Sequence, residues 1–329
     1  MKKLIQITFI LFICFSGYTY AQAPKHQFFT LNQNKTVLDR IKSTNASMAY
    51  SVRKLRRLYT GFAMRVRKGT GTSLATADVA FNITNGVVDA NSVVTIVTAG
   101  TASGHTVGNK VKFGTFYNAS TVYVTTWYDQ SGNSRDVNQA DESKQPKIVS
   151  EGTLEKAEAR ASILFGETNA TLLQITVPPI SVFGSGYIGT AAVVLERAVG
   201  NTIAFGYSSN RNGRWQCHIN WNDKFYFDVG TDKYGRIFAV NPSTGLGTYM
   251  MIASDQVPDM QIFINGVSAI ADKSNSPAPL PASATTFNIG GVDYYHKGHQ
   301  SELIFFPAAL ADNEIEIIQR NQKTFYKTP

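Results

Sequence analysis

Aromatic side chains beside polar, loop-forming residues are the first feature of this sequence that could do chemistry. They are Trp215, Trp221, Tyr226, Tyr294 and Tyr295. The flat face of such a ring can stack on the C–H face of a sugar, while a nearby polar group such as Asn222 binds its hydroxyls. Trp215 and Trp221 are six positions apart, an even spacing that puts both on one strand face. That face is either a carbohydrate platform or the core, because tryptophan is highly buried on average.

Three histidines raise the question of a metal site. His296 and His299 are three residues apart, and Asp293 is the only other ligand type at a suitable spacing, while His218 lies far from both in the sequence. A structural zinc ion takes about four such ligands, so we expect solvated histidines and no metal. Nucleophile, phosphate-loop and EF-hand motifs are absent from the sequence, and no cofactor is expected. Calcium held by scattered Asp side chains and backbone carbonyls would leave no readable pattern.

The stretch Thr121–Arg135 joins a strand to a tight turn. Val122 and Val124 alternate with polar or aromatic residues, the period-2 pattern of a strand with one covered face. The pattern ends at Asp129-Gln130-Ser131-Gly132-Asn133, where Asx side chains and a glycine suit a turn. Asp129 can bind a sugar hydroxyl or a cation there, or it can cap its own turn through backbone N–H groups.

Beyond residue 148 the sequence consists of short strand-like runs separated by turn signals. The predicted strands are Ala161–Phe165, Leu172–Val177, Gly189–Glu196, Ile203–Tyr207, Trp215–Trp221, Phe225–Val229, Tyr249–Ser254, Met260–Asn265, Thr286–Ile289 and Glu302–Phe306. Many short strands with Gly, Pro and Asn between them predict an all-β, antiparallel sandwich of jelly-roll type. Asn265-Gly266 is the clearest hairpin signal. Cys217, within one of these strands, reads as a small buried apolar residue.

Helices are predicted at both ends of this sandwich. Val52, Leu55 and Leu58 are three apart and indicate a helix that begins at an Asx cap and stops at a glycine, Gly61. A second short helix is predicted over residues 90–99, which gives a helical lobe over 45–120 before the sandwich of 121–329. A C-terminal helix begins at Asp312, which we expect to cap it.

Basic residues are concentrated near the predicted first helix. They are Arg53, Lys54, Arg56, Arg57, Arg65, Arg67 and Lys68. Such a cluster can bind an acidic polymer. The spacing of the apolar residues instead favours the solvated face of a helix and strand. Nucleic acid is not an expected partner, because the chain carries an export signal.

That export signal is read from the N-terminus. Lys2 and Lys3 precede the apolar run Leu4–Phe15, and cleavage after Ala21 would define a signal peptide over 1–21. Cys14 lies within the apolar run without the small residues that a lipid-anchor cysteine would need just before it. The run is too short to span a bilayer, and no later run is longer. We therefore expect an exported protein, extracellular, periplasmic or at the cell surface, with a polar arm over 22–44 and a single domain over 45–329.

Four segments resemble a known family. AYSVRKLRRLYTGFAMRVRK, NGVVDA, VTTWYDQSGNSRDVNQ and QPKIV occur in this order within residues 46–149. They are similar to the N-terminal half of the catalytic domain of the α-L-arabinofuranosidase B family of glycoside hydrolases. The resemblance implies a jelly roll of the concanavalin A-like lectin/glucanase type.

The resemblance also implies where catalytic carboxylates should lie. The family uses a glutamate nucleophile and an aspartate acid, a retaining pair that must sit ~5–5.5 Å apart. The acid directly follows a Gly-Gly pair in the family, whereas here Val292 intervenes and the carboxylate is Asp293. A shift of one residue in a strand turns a side chain to the opposite face. The family's glutamate corresponds to Trp221 here, and Asp223 is the nearest carboxylate.

Two functions follow. The first is an exported carbohydrate-recognition or surface protein that keeps the family's scaffold and lacks its catalytic pair. The alternative is an active α-L-arabinofuranosidase, or a related retaining glycoside hydrolase, acting on arabinose-containing polysaccharide. Asp293 would then be the general acid and Asp223 the nucleophile. In either case the expected partner is a carbohydrate, and the expected binding residues are Trp215, Trp221, Asn222, Tyr226, Tyr294 and Asp129.

Overall fold

The computed structural model describes residues 36–329 except 102–103, 167–169, 198–199, 208–212, 231–234, 241–244 and 292–293. The chain divides into two compact units, 1–34 and 35–329, and every described residue belongs to the second. The predicted signal peptide over 1–21 and most of the arm over 22–44 therefore lie outside the described residues.

The described residues are mostly in strands. The strands are β1 Met48–Ser51, β2 Met64–Lys68, β3 Ala75–Val79, β4 Val93–Thr98, β5 Lys110–Lys112, β6 Val122–Trp127, β7 Val137–Asn138, β8 Lys147–Ser150, β9 Thr153–Leu154, β10 Lys156–Ala157, β11 Arg160–Ala161, β12 Ile163–Phe165, β13 Leu173–Thr176, β14 Gly189–Arg197, β15 Phe205–Tyr207, β16 Arg214–Trp221, β17 Lys224–Gly230, β18 Arg236–Val240, β19 Gly245–Ala253, β20 Met260–Ile264, β21 Val267–Ser268, β22 Asp272–Ser274, β23 Thr286–Ile289 and β24 Gly298–Phe306. The helices are α1 Phe113–Tyr117, α2 Pro179–Val182 and α3 Asp312–Tyr326, with 3-10 turns at Val37–Asp39, Gly71–Ser73 and Glu142–Lys144.

The strands form two layers that are joined along one side. The front sheet has the order β5-β4-β3-β2-β6-β7-β13-β23-β15-β16-β17-β18-β22. The back sheet has the order β21-β20-β19-β14-β24, and β24 also pairs with β1 and β12. Strand β8 pairs with β12 and with β6, which connects the two layers. All the ladders between the numbered strands are antiparallel, as a jelly roll requires.

Aromatic side chains fill the space between the sheets. The ring of Phe305 on β24 lies 5.2 Å from that of Phe205 and 5.1 Å from that of Phe287, both on the front sheet. Phe225 on the front sheet stacks on Tyr249 on the back sheet at 5.2 Å. Because rings from both layers meet and all are buried, this interior is the core of a β-sandwich. The predicted fold class is confirmed, and all ten strands predicted beyond residue 148 are present, Thr286–Ile289 with the predicted ends and the others with shifted ends.

Helix α3 covers the outer face of the back sheet. Its Ile315 and Ile318 are buried in one cluster with Met250, Ile304 and Phe306 of the back sheet. The C-terminal helix is thus confirmed. The expected cap at Asp312 is wrong, because the residue before the helix is Ala311 and no side chain caps that end. Among the described residues, the helices include none that is both long and apolar enough to cross a membrane.

The helices predicted within residues 45–120 are wrong. Strand β1 occupies the start of the first one and pairs with β24, for example Met48 with Phe305. Strand β4 lies within residues 90–99, where the β-branched residues Val94 and Ile96 alternate into the core. In the described part of this region, α1 is the only α-helix. This region therefore adds β2, β3, β4 and β5 to the front sheet and β1 to the back sheet.

The basic residues do not form one solvated face. Arg53 is buried and pairs with Glu302. Arg67 is buried too, and its guanidinium donates to the carbonyl oxygens of Gly69 and Glu142. Both guanidinium groups thus have buried partners in the fold, whereas the spacing of the apolar residues had predicted that they face solvent.

Candidate functional site

A row of polar residues crosses the middle of the front sheet. Directly paired positions on neighbouring strands share a face of the sheet. From β7 to β18, the residues paired in this way are Asn138, Gln174, Asn288, Gly206, Gln216, Asp228 and Arg236. The adjacent positions Phe287, Tyr207 and Trp215 point into the core. We call the first set the polar row, and it lies on the face away from the core.

A charged cluster lies at one end of the polar row. The carboxylate of Asp228 accepts hydrogen bonds from Arg236, from Nε at 2.7 Å and from Nη2 at 2.6 Å. Nη1 of Arg214 lies 3.2 Å from the same carboxylate, and Nε2 of His218 lies 3.1 Å from it. Gln216 contacts Nε2 of His218 at 2.8 Å. Two guanidinium groups around one carboxylate leave this charged cluster with net positive charge.

The charged cluster fixes the protonation of Asp228. Burial by itself would raise the pKa of this carboxyl, but its hydrogen bonds from Arg236 and His218 hold the pKa well below the usual range. Asp228 therefore stays ionised at neutral pH and cannot donate a proton as a general acid. Its chemical role is to hold two arginines and a histidine at fixed positions.

An aromatic corner lies next to the charged cluster. The rings of Trp221 and Tyr294 are 4.6 Å apart at an angle of 75°, so the edge of one ring meets the face of the other nearly at a right angle. Trp221 also contacts the imidazole of His218 at 5.2 Å, which joins the aromatic corner to the charged cluster. Tyr294 is 49% exposed, and its carbonyl oxygen accepts a hydrogen bond from Ile203 N–H at 2.8 Å. The structure thus brings together two of the predicted binding residues.

Tyr226 belongs to the same face. It pairs with His218 on β16, and its ring lies 6.2 Å from that imidazole. The guanidinium of Arg236 lies over the Tyr226 ring at 5.2 Å. His218 contacts both Trp221 and Tyr226, and Trp221 contacts Tyr294. Three predicted binding residues therefore belong to one group of neighbouring side chains.

Asn222 and Asp223 form the turn between β16 and β17. Both have positive φ, 50° and 59°, as the two-residue type I′ hairpin requires. Asp223 has a side chain that is 92% exposed, and its carboxylate pairs with Arg197 at 2.9 Å. Asn222 uses its backbone N–H to bind Asn201. These residues serve the turn, and Asp223 stands in solvent instead of in an enclosed catalytic pocket.

Trp215 is not a binding residue. It is fully buried, stacks on Phe183 at 4.0 Å and donates a hydrogen bond from Nε1 to the carbonyl of Tyr187. The expectation that Trp215 and Trp221 share a face is wrong, because the pairing of β16 with β17 shifts between His218 and Trp221. A bulge of this kind changes the alternation of a strand.

Asp129 is a turn residue as well. Its Oδ1 accepts from the N–H groups of Ala49 and Ser131, and its Oδ2 accepts from the Ser131 hydroxyl and the N–H of Arg135. Four donors saturate the carboxylate, which is almost completely buried. Asp129 therefore caps its own turn, as the alternative predicted, and its carboxylate oxygens are not available to bind a sugar hydroxyl.

The remaining expectations concern the carboxylate pair and the histidines. Asp293 lies outside the described residues, so its pairing with Asp223 stays a prediction. In the part of the chain that the structure describes, no group of three or more His, Cys, Asp or Glu side chains could hold a metal ion. His299 is not a free loop residue, because Nδ1 contacts Glu196 at 2.7 Å and Nε2 contacts Glu155 at 3.2 Å. Cys217 is fully buried, and burial raises the pKa of its thiol well above the usual value.

Sequence reasoning missed the two arginines and the aspartate of the charged cluster. Gln216 and His218 alternate with apolar core residues on β16, as Tyr226 and Asp228 do on β17. That alternation of polar and apolar residues was a readable signal for a functional or solvated face. The pairing that brings Arg236 onto Asp228 was not readable.

Comparison with known proteins gives a likeness in fold. No protein-family model and no curated protein matches the sequence. Among solved structures, a GH54 α-L-arabinofuranosidase soaked with a cyclic sulfate inhibitor matches at a TM-score of 0.46 and 14% identity, over 84% of this chain and 62% of that one. Trypanosoma rangeli sialidase in complex with the inhibitor DANA matches at a TM-score of 0.41 and 13% identity, over 59% and 30%. This chain thus spans 62% of the length of the arabinofuranosidase. Similarity at this level does not establish a function for this chain.

Proposed function

We propose that this protein recognises carbohydrate at the aromatic corner and the charged cluster beside it. The observation that carries the proposal is the half-exposed Tyr294 ring set at 75° to the Trp221 ring, directly beside hydrogen-bonding side chains. A sugar presents an apolar C–H face and a rim of hydroxyl groups. The aromatic corner can pack against the C–H face, and the charged cluster can form hydrogen bonds with the hydroxyl groups.

Each group has a distinct part in this recognition. The Tyr294 and Trp221 rings pack against the sugar ring. Arg214 and Arg236 keep N–H groups fixed by Asp228, so they donate to hydroxyl or ring oxygens without losing much side-chain freedom on binding. His218 connects the two halves of the site.

Binding without hydrolysis is the form of the proposal that the described residues favour. A retaining glycosidase needs one carboxyl that protonates the leaving oxygen and a second that attacks. Asp228 is held ionised by its arginines, and Asp223 is exposed on a turn and paired with Arg197. We further propose that the protein acts after export, in keeping with its N-terminal sequence.

A glycan array followed by affinity measurement tests the proposal. The purified chain should retain at least one polysaccharide, and Trp221→Ala and Tyr294→Ala should each weaken binding about tenfold or more, since truncating an aromatic anchor costs about 2 kcal/mol. Tyr294→Phe keeps the ring and should bind nearly as well as the natural protein. Thermal unfolding of each variant separates a lost contact from a lost fold.

Two results would overturn this function. Wild-type affinity in both alanine variants would show that the aromatic corner only packs the surface. Release of the aryl group from an aryl α-L-arabinofuranoside, abolished by Asp293→Asn or Asp223→Asn, would establish a glycosidase instead.

A further inference from the structure

A second pocket lies far along the front sheet from the aromatic corner. It has a volume of about 330 Å³, and three aromatic rings and two carboxylates line it: Tyr59, Phe62, Tyr128, Asp129 and Asp136. Among the residues that the structure describes, no lysine or arginine lines this pocket. We call it the Asp136 pocket.

Its aromatic walls are held in place by hydrogen bonds. Tyr59 donates its hydroxyl to the carbonyl of Phe62 at 2.9 Å, and Tyr128 donates to Oδ1 of Asp78 at 2.7 Å. The Phe62 and Tyr128 rings lie 6.4 Å apart, and both are half-buried. Since both phenol hydroxyls are already engaged, these residues offer ring surface to a ligand.

Asp136 supplies the polar group of the pocket. Its Oδ1 accepts from the N–H of Asp129 at 2.8 Å, and among the described residues Oδ2 has no hydrogen-bond partner. The Asp129 carboxylate, by contrast, already has four donors. Half-burial and the nearby Asp129 charge raise the pKa of Asp136. A ligand hydroxyl that donates to Oδ2 would satisfy this carboxylate.

The Asp136 pocket lies on the same face of the front sheet as the proposed site. Asp136 is two residues before Asn138, the first member of the polar row, and Val137 between them is buried in the core, so Asp136 and Asn138 lie on the outer face. Strands β7 and β16 are four steps apart in the sheet order, which is roughly 19 Å at about 4.8 Å per strand. Gln174 on β13 is exposed and lies between them, and Asn138 is exposed on β7 itself. One extended ligand can therefore contact both ends of the row.

We propose that the Asp136 pocket is a second sugar subsite, so that the ligand is the interior of a polysaccharide chain and not a monosaccharide. This inference rests on the proposed function. The pocket takes a sugar without negative charge, because its described lining has two carboxylates and no cation. The exposed amides of the polar row bind hydroxyls of the sugars between the two subsites.

Chain-length dependence of binding tests this inference. Calorimetric titration would use arabino-, xylo-, gluco- and manno-oligosaccharides of increasing length, from the disaccharide upward. For the natural protein, affinity should rise with length until the chain spans both subsites. Asp136→Asn should lower affinity for the longest chains about tenfold, since it weakens a hydrogen bond to a charged group, and Phe62→Ala should have an effect of about the same size because it removes an aromatic contact. Neither should change affinity for the shortest chain that binds.

Controls separate the possible failures. Asp255→Asn, a change at an exposed loop carboxylate, should bind chains of every length as the natural protein does. Asp136→Asn preserves shape, which guards against a folding defect in Phe62→Ala. Equal affinity for short and long chains, with Trp221→Ala still impaired, would overturn the second subsite alone. Binding of no oligosaccharide by the natural protein would overturn the proposed function and this inference together.

Discussion

Replacing Glu302 with glutamine is expected to lower the free energy of unfolding by about 3–5 kcal/mol, the usual cost of removing one partner of a buried ion pair. Glu302 is fully buried, and Arg53 is 7% exposed. Nε of Arg53 donates to Oε2 at 2.6 Å and Nη2 donates to Oε1 at 2.9 Å. Glutamine keeps the shape of the side chain but leaves the guanidinium buried without a counter-charge.

Because Glu302 contacts several elements of the fold, its replacement should destabilise the whole domain. Its carboxylate also accepts from Ser51 on β1 at 2.9 Å, and from Gln322 and Tyr326 on α3 at 3.1 Å and 3.2 Å. Burial by itself would lower the pKa of Arg53, but the charge and hydrogen bonds of Glu302 raise it above its usual value. The carboxylate therefore joins β1, β24 and α3 at one buried point.

Urea unfolding at neutral pH measures this effect. The matched control is Glu316→Gln, because Glu316 has a side chain that is 64% exposed and pairs with Arg320 in the same helix. Breaking that surface pair should cost at most about 0.5 kcal/mol. The double variant Arg53→Met with Glu302→Leu should recover much of the lost stability, since an apolar pair removes the stranded charge. A cost for Glu302→Gln no larger than the control's would contradict the prediction.

The strands beyond residue 148 were predicted from the sequence more accurately than the elements of residues 45–120. Alternation and turn residues mark a strand locally, and Asn265-Gly266 does form the turn between β20 and β21, with positive φ at both residues. Val52, Leu55 and Leu58 had helical spacing, yet the first two are buried and Leu58 is 77% exposed. Their positions are set by pairing of β1 with a strand about 250 residues later, as Ser51 pairs with Glu302. Local periodicity carries no information about such a partner.

The candidate site was predictable only in its parts. Aromatic residues beside polar ones pointed to Trp221, Tyr226 and Tyr294, and the structure places them together. Asn222-Asp223 was also readable as a hairpin turn, because Asn and Asp tolerate positive φ. The bulge that separates Trp215 from Trp221 depends on the pairing of two strands, and so does the contact of Arg236 with Asp228. Cross-strand pairing thus decides which candidates reach the surface.

His296 should make the protein sensitive to mild acid. This residue is fully buried, and among the described residues neither ring nitrogen has a hydrogen-bond partner. Burial lowers its pKa to about 4. The unfolded chain, with a histidine pKa of about 6.5, binds a proton over the range in which the folded protein does not. As the pH falls from about 6.5 to 4, this difference should lower the free energy of unfolding by about 3 kcal/mol.

His299 acts in the opposite direction, so the two histidines can be distinguished. Burial by itself would lower the pKa of His299, but its bonds to Glu196 and Glu155 raise it. Its stabilisation is therefore present below about 6.5 and is lost as the pH rises through its folded pKa. Glu196, which also interacts with His296, has a pKa that its contact with His299 lowers, and its stabilisation fades only as the pH falls below about 4.3.

Urea unfolding at a series of pH values between about 4.5 and 8 checks both signs, because most carboxyl groups titrate below this range. His296→Phe removes the titration and keeps a ring in the core, so its stability should fall less steeply between pH 6.5 and 4.5 than that of the natural protein. His299→Gln should lose stability at the acidic end of the series and lose less at pH 8. A stability profile of His296→Phe that runs parallel to the wild-type profile throughout would show that His296 is not the acid-sensitive group, because the variant lacks the imidazole whose protonation is expected to destabilise the folded protein.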